Sequence, residues 1–186
     1  MKICLIRHGK TLGNLEKRYI GKTDEPLCEL GINELEKLHF PQSELLVCSS
    51  MKRCVHTAEI LFPEQEYIIC DSFRECNFGD FEGKNYHELN GDHYYQMWID
   101  SGGKLAFPNG ELPADFRKRC AEGFEKIVRQ YADAASITFV VHGGTVMAIL
   151  EKFASVHRDY FDWHCENGQG YLCEWNGKKL INLERI

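Results

Sequence analysis

Two stretches of this chain share one design, and the repetition constrains the fold more than any other feature. Lys2-Ile3-Cys4-Leu5-Ile6 runs into Arg7-His8-Gly9, and Ile137-Thr138-Phe139-Val140-Val141 runs into His142-Gly143-Gly144. Each apolar run is short and continuous, the pattern of a strand covered on both faces. Each is followed by a helix-favouring stretch, Lys10 to Lys17 in the first case. In the second, Val146, Ile149, Leu150 and Phe153 mark an inward helix face. Strand, histidine, glycine and helix in sequence predict an anion site at the carboxyl edge of a parallel sheet. Glycine after the histidine lets the backbone turn sharply or approach a ligand closely.

The rest of the chain supplies further alternation. Residues 18 to 31 lack periodicity and read as a loop punctuated by Gly21 and Pro26. Ile32, Leu35 and Leu38 mark a short helix ending near Pro41. Leu45 to Cys48 is a second buried strand, with Ser49 and Ser50 as expected caps of a helix that carries Val55, Ala58, Leu61 and Phe62 inward. Arg53 falls in that helix's first turn, within reach of the strand end. Tyr67 to Cys70 is a third strand, followed by a loop from Phe73 to Gly83. The stretch from Asn85 to Gly103 is rich in aromatics and histidine, and Glu111 to Tyr131 is the longest helix. Tyr171–Trp175 and Leu180–Leu183 flank Asn176-Gly177, a hairpin signal. The expected fold is α/β, a three-layer sandwich whose mainly parallel central sheet is flanked by helices, with an antiparallel hairpin near one edge. Residues 1–186 read as one domain, with 84–113 as a helical cap insertion.

Several chemistries are excluded. The net charge of −6 and the absence of a basic stripe argue against nucleic acid as a partner. No stretch suits a membrane span, and Arg7 and His8 interrupt the opening apolar run too early for a signal peptide. Nine cysteines form no Cys-x-x-Cys pair, and several lie in apolar runs. They read as small hydrophobes in a reduced, cytoplasmic protein rather than as zinc ligands or disulfides. No cysteine has arginine six positions on, so a cysteine phosphatase loop is absent. Gly21-Lys22-Thr23 resembles the end of a nucleotide loop, but position 16 is Glu and no strand precedes it.

At the strand ends, Arg7, His8, Arg53, Glu75 and His142 converge. This set fits phosphoryl transfer without a metal or other cofactor. Arginines grip phosphate oxygens, a neutral imidazole attacks phosphorus, and a carboxyl protonates the leaving oxygen. Asp24, Asp80 and Glu82 show no ligand-like spacing for a metallophosphatase.

Five ordered blocks then resemble the histidine phosphatase superfamily of phosphoglycerate mutase-like fold. They are Arg7-His8-Gly9-Lys10-Thr11 with Asn14, Asp24-Glu25-Pro26-Leu27 with Gly31, Ser50 to Arg53 with Thr57-Ala58, Glu75 with Phe78-Gly79 and Glu82-Gly83, and His142-Gly143-Gly144. The resemblance implies that His8 is the nucleophile and Glu75 the proton donor. Arg7, Arg53 and His142 would hold the phosphoryl group, assisted by Asn14, with Thr11, Gly21 and Gly143 at the binding site. No arginine lies between Lys84 and Lys104, where a mutase would need basic residues for its substrate carboxylate, so a small phosphatase fits better. Pro108-Asn109-Gly110-Glu111 with Phe116 and Arg119 resembles the branch containing α-ribazole phosphatases of cobalamin synthesis and broad-specificity phosphatases. Leu112, Met147 and Lys10 depart from that branch's usual residues. A phosphoglycerate mutase, or a non-catalytic binding protein of the same fold, is the alternative. The expected partner is a small-molecule phosphate ester, and the sequence does not define an oligomeric state.

Overall fold

The computed structural model describes residues 1–186. Six strands form one sheet: β1 (Lys2–Arg7), β2 (Leu45–Cys48), β3 (Tyr67–Ile69), β4 (Ser136–Val141), β5 (Gly170–Trp175) and β6 (Leu180–Arg185). Their order is β3-β2-β4-β1-β5-β6. The first four in that order run parallel, and β5 is antiparallel to β1 and β6. The expected α/β architecture with its antiparallel edge hairpin is therefore present.

Alternation along the central strands builds the two cores. Ile3, Leu5, Ile137, Phe139 and Val141 face one buried cluster, whereas Cys4, Ile6 and Val140 face the other. The first face is covered by α5 (Pro113–Gln130) and α6 (Gly143–Phe153), the second chiefly by α3 (Lys52–Leu61). Two smaller helices are α1 (Leu12–Leu15) and α2 (Glu29–Leu35), and α4 (His93–Asp100) lies within the 84–113 segment. That segment packs on the body through a third cluster that includes Phe81, Leu89, Phe107 and Phe116.

Two local expectations change. The stretch after His8 forms only one turn of helix, closed by reciprocal bonds between Thr11 and Asn14. Helix α2 begins at Glu29, not after Gly31. Gly31 sits inside it, where a Cβ would lie 2.2 Å from the Lys10 carbonyl, so this glycine marks close packing rather than a break. The edge hairpin falls where expected: Trp175 pairs with Leu180, and residues 176 to 179 form the turn. Asn176 Oδ1 accepts from the N–H groups of Lys178 and Lys179 and closes the turn.

Candidate active site

His8 directly follows β1 and His142 directly follows the neighbouring parallel strand β4, so pairing of the strands juxtaposes the imidazoles. Their ring centroids are 5.2 Å apart, edge to face. His8 Nδ1 lies 2.7 Å from the Gly9 carbonyl. A carbonyl only accepts, so Nδ1 carries the proton and Nε2 keeps its lone pair in the neutral ring. The neighbouring ring is fixed by the same logic. Arg53 Nε donates to His142 Nδ1 at 3.2 Å, and His142 Nε2 then donates to Ser49 Oγ at 2.9 Å. Ser49 is thus the partner of His142. Met51 occupies the cap position of α3, and Ser50 hydrogen-bonds Asp71 instead. Both imidazoles titrate well below the usual range, first because burial disfavours the cation and then because Arg53 and Arg7 repel it.

Arg53 is 1% exposed. Burying a guanidinium costs several kcal/mol in lost hydration, about the scale known for interior ions. The carbonyls of Thr23 (2.9 Å) and Gly21 (3.0 Å) replace water, together with His142. The loop that offers these carbonyls is itself held by Glu82, whose Oε1 accepts from Gly21 N–H at 2.8 Å and Thr23 N–H at 2.9 Å. Glu82 is therefore the anchor of the loop that seats Arg53, and the Gly21 N–H is engaged within the protein. Arg7 is oriented by Nη1 donation to the Cys165 carbonyl at 2.7 Å. Its Nε is buried with no protein partner, a donor suited to an anion.

Glu75 lies on the loop after Phe73, and its carboxylate accepts from the N–H groups of Cys76 (2.9 Å) and Gly144 (3.3 Å). A Cβ on Gly144 would sit 2.4 Å from Glu75 Oε1, so glycine is required for the carboxyl to reach the start of α6. Burial raises the Glu75 pKa, against the opposing pull of the Cys76 N–H and Arg53. A carboxyl that holds its proton to higher pH is suited to act as an acid.

Asn14 lies nearby: its Oδ1 accepts from the Thr11 N–H and from Asn167, and its Nδ2 makes no protein hydrogen bond. Thr11 is fully buried and its side chain caps α1. Gly143 opens α6 against the Arg7 side chain.

Beside these groups is a cavity of about 230 Å³ bordered by Arg7, Glu75, Gly143 and Gly144. Tyr19, Phe78, Trp98, Phe107, Phe116 and Tyr160 supply aromatic walls. Trp98 and Phe107 come from the 84–113 segment, which thus forms part of the pocket wall. Of the three departures noted in the sequence, only Met147 lines the cavity. Lys10 pairs with Glu34 at 2.8 Å and Leu112 caps α5. A second cleft, about 520 Å³, lies at the opposite end of the sheet, where Lys2 and Ser136 begin their strands, and gathers none of the site residues. No group of three or more His, Cys, Asp or Glu side chains is arranged to hold a metal ion.

The buried imidazoles give a stability prediction. In the unfolded chain each takes up a proton near pH 6.5, whereas in the fold each does so only at lower pH. The folded state therefore binds fewer protons below about pH 6.5, and stability falls as the pH drops through that value. Glu75 opposes this, since its raised pKa favours the fold as its carboxyl protonates, but it is one group against two. The expected result is a Tm that declines between about pH 7.5 and 5.5. A flat or rising Tm across that window would contradict neutral burial of both rings.

Residues 3–185 match the histidine phosphatase superfamily (branch 1). Over 178 residues the chain is 26% identical to the adenosylcobalamin/α-ribazole phosphatase of Escherichia coli (strain K12), covering 91% of this chain and 87% of that protein. It is 26% identical over 198 residues to a 2,3-bisphosphoglycerate-dependent phosphoglycerate mutase of Cytophaga hutchinsonii, covering 97% of this chain and 90% of that one. Among solved structures it is similar to the α-ribazole phosphatase of Shigella flexneri, with a TM-score of 0.83, 26% identity, and coverage of 97% of this chain and 93% of that one.

Proposed function

The chain belongs to the histidine phosphatase superfamily, and from that premise we propose that it hydrolyses small-molecule phosphomonoesters through a phosphohistidine on His8. The observation that carries this reading is the tautomer of His8 set by the Gly9 carbonyl, which leaves Nε2 with its lone pair in a buried ring whose cation Arg53 and Arg7 disfavour. Nε2 attacks phosphorus as the ester oxygen departs with the Glu75 proton. Arg7, Arg53 and Asn14 bind the phosphoryl oxygens, Gly143 adds its helix N-terminus, and His142 is held beside them. Water then attacks the phosphohistidine, returns its proton to Glu75 and frees Nε2. Thr11 and Gly21 serve by shaping the site rather than by touching the phosphate. Residues 84–113 act as the cap of a single domain.

The leaving-group side weighs phosphatase against mutase. A phosphoglycerate brings a carboxylate close to its phosphoryl group, but the cavity wall is chiefly aromatic and Met147 is apolar. Arg117 is committed, with Nη1 3.1 Å from Glu151 and its guanidinium 3.8 Å from the Tyr160 ring centre. A leaving group with a flat, apolar part fits better, and α-ribazole phosphate, the substrate class in the relatives' names, has that character. An odd number of cysteines in mostly buried positions suits a reducing compartment, and we place the protein in the cytoplasm. No helix is long and apolar enough to cross a membrane.

The test is a panel of α-ribazole phosphate, p-nitrophenyl phosphate and both phosphoglycerates, assayed in excess chelator. Hydrolysis should persist, with kcat/KM for the ring-bearing esters at least about 10-fold above that for phosphoglycerates, the discrimination a shaped apolar pocket supplies. Loss of activity in chelator, or efficient interconversion of the phosphoglycerates, would overturn the reading.

A further inference from the structure

The segment between Trp163 and β5 runs along the end of β1 and grips it at several atoms. Besides the bond from Arg7 Nη1 to the Cys165 carbonyl, the Gly168 N–H donates to the Arg7 carbonyl at 3.0 Å, and Asn167 lies between them. Asn167 Nδ2 is within hydrogen-bond distance of three oxygens: the His8 carbonyl (3.0 Å), Asn14 Oδ1 (3.1 Å) and the Gly9 carbonyl (3.3 Å). Two of these are carbonyls and can only accept, so the amide's orientation is fixed by chemistry. The Gly9 carbonyl is the same atom that accepts from His8 Nδ1. Asn14 Oδ1, held by Asn167 and by the Thr11 N–H, fixes the orientation of an Asn14 NH2 that has no protein partner.

We infer that Asn167 is a positioning residue: by holding the Gly9 carbonyl it selects the His8 tautomer with a free Nε2, and by holding Asn14 Oδ1 it aims the Asn14 amide. Neither function is assigned by the resemblance, and both rest on the reading of His8 as nucleophile. Without the Asn167 amide, the Gly9 peptide loses one of its two donors and is freer to rotate. A rotated carbonyl no longer demands a proton on Nδ1. The ring then samples the other tautomer, whose Nε2 carries hydrogen and cannot attack. A metal-bound histidine depends on its outer hydrogen-bond partner in the same way, and loss of such partners costs about 10- to 100-fold.

The experiment compares wild type with Asn167→Ala and Asn167→Asp. Asn167→Ala is expected to lower kcat by about 10- to 100-fold with little change in KM, and the ¹⁵N signals of His8 should move from one tautomer toward a mixture. Asn167→Asp keeps the shape, so it carries the test even if Asn167→Ala folds poorly. As a carboxylate it faces carbonyls it cannot bond, and as a protonated acid it donates again. Its activity relative to wild type should therefore recover as the pH is lowered. Wild-type rates in both variants, or a loss with unchanged His8 signals and no recovery at low pH in Asn167→Asp, would overturn the inference. If wild type itself forms no phosphohistidine, the nucleophile reading fails first. If it does and the variants form it as fast, only the role of Asn167 fails.

Discussion

His8→Ala is expected to lower kcat on the order of a million-fold, the scale seen when a hydrolase loses its covalent nucleophile. The protein should still fold. The ring is 4% exposed, so its removal leaves a small void as well as breaking the bond to Gly9. A stability loss of about 2 kcal/mol is the ordinary cost of such a truncation. Circular dichroism and thermal unfolding would separate that modest loss from the collapse of turnover. The neighbouring imidazole cannot take over, because both His142 nitrogens are engaged, one by Arg53 and one by Ser49. Activity within about 100-fold of wild type in a folded His8→Ala protein would place the nucleophile elsewhere.

Glu75→Gln is expected to act according to the leaving group. An alkyl phosphate expels a basic alkoxide that needs a proton, and loss of the acid should cost about 100- to 10,000-fold. p-Nitrophenyl phosphate expels a stable phenolate, so its first step should suffer far less, and phosphohistidine should accumulate because the base for water is also gone. The pH profile gives an independent reading. In the proposed mechanism His8 acts as the neutral ring, which sets an acid limb below the usual imidazole range. In the same mechanism Glu75 acts as the protonated acid, which sets an alkaline limb above the usual carboxyl range. In Glu75→Gln the alkaline limb with alkyl esters should vanish. Glu82→Gln is the comparison, since Glu82 holds the Arg53 loop and should damage both substrates alike. Equal damage by Glu75→Gln to both substrates would make Glu75 a pocket-ordering residue instead.

The parts of the site carried by strands were visible in the sequence for a physical reason. β1 and β4 are buried on both faces and therefore read as unbroken apolar runs, so the residues that follow them had to meet at the sheet's carboxyl edge. Arg53 was recognisable by its place in a first helical turn, but its burial was not, because the compensating carbonyls of Gly21 and Thr23 lie on a loop with no periodicity. The same holds for Glu82, which read as one acid among several. Ser49 carried the signature of a cap and proved to be a histidine partner, since a hydroxyl after a strand suits either task. Asn167 gave no signal at all. It sits in an irregular segment far along the chain, and only the antiparallel return of β5 beside β1 brings it to His8. The aromatic run from Tyr86 to Trp98 was plain, yet which rings face the cavity depends on the packing of α4 against Tyr19, Phe81 and Phe107.

If phosphate passes through His8 Nε2, a rapid quench of wild-type enzyme turning over p-nitrophenyl phosphate traps it there. The protein should carry an acid-labile, base-stable phosphate that maps to His8 and forms as fast as p-nitrophenolate is released. Its yield should rise in Glu75→Gln and be absent in His8→Ala. Phosphate release at the same rate with no labelled protein at any quench time, or a label that maps to another residue, would rule out His8 as the nucleophile.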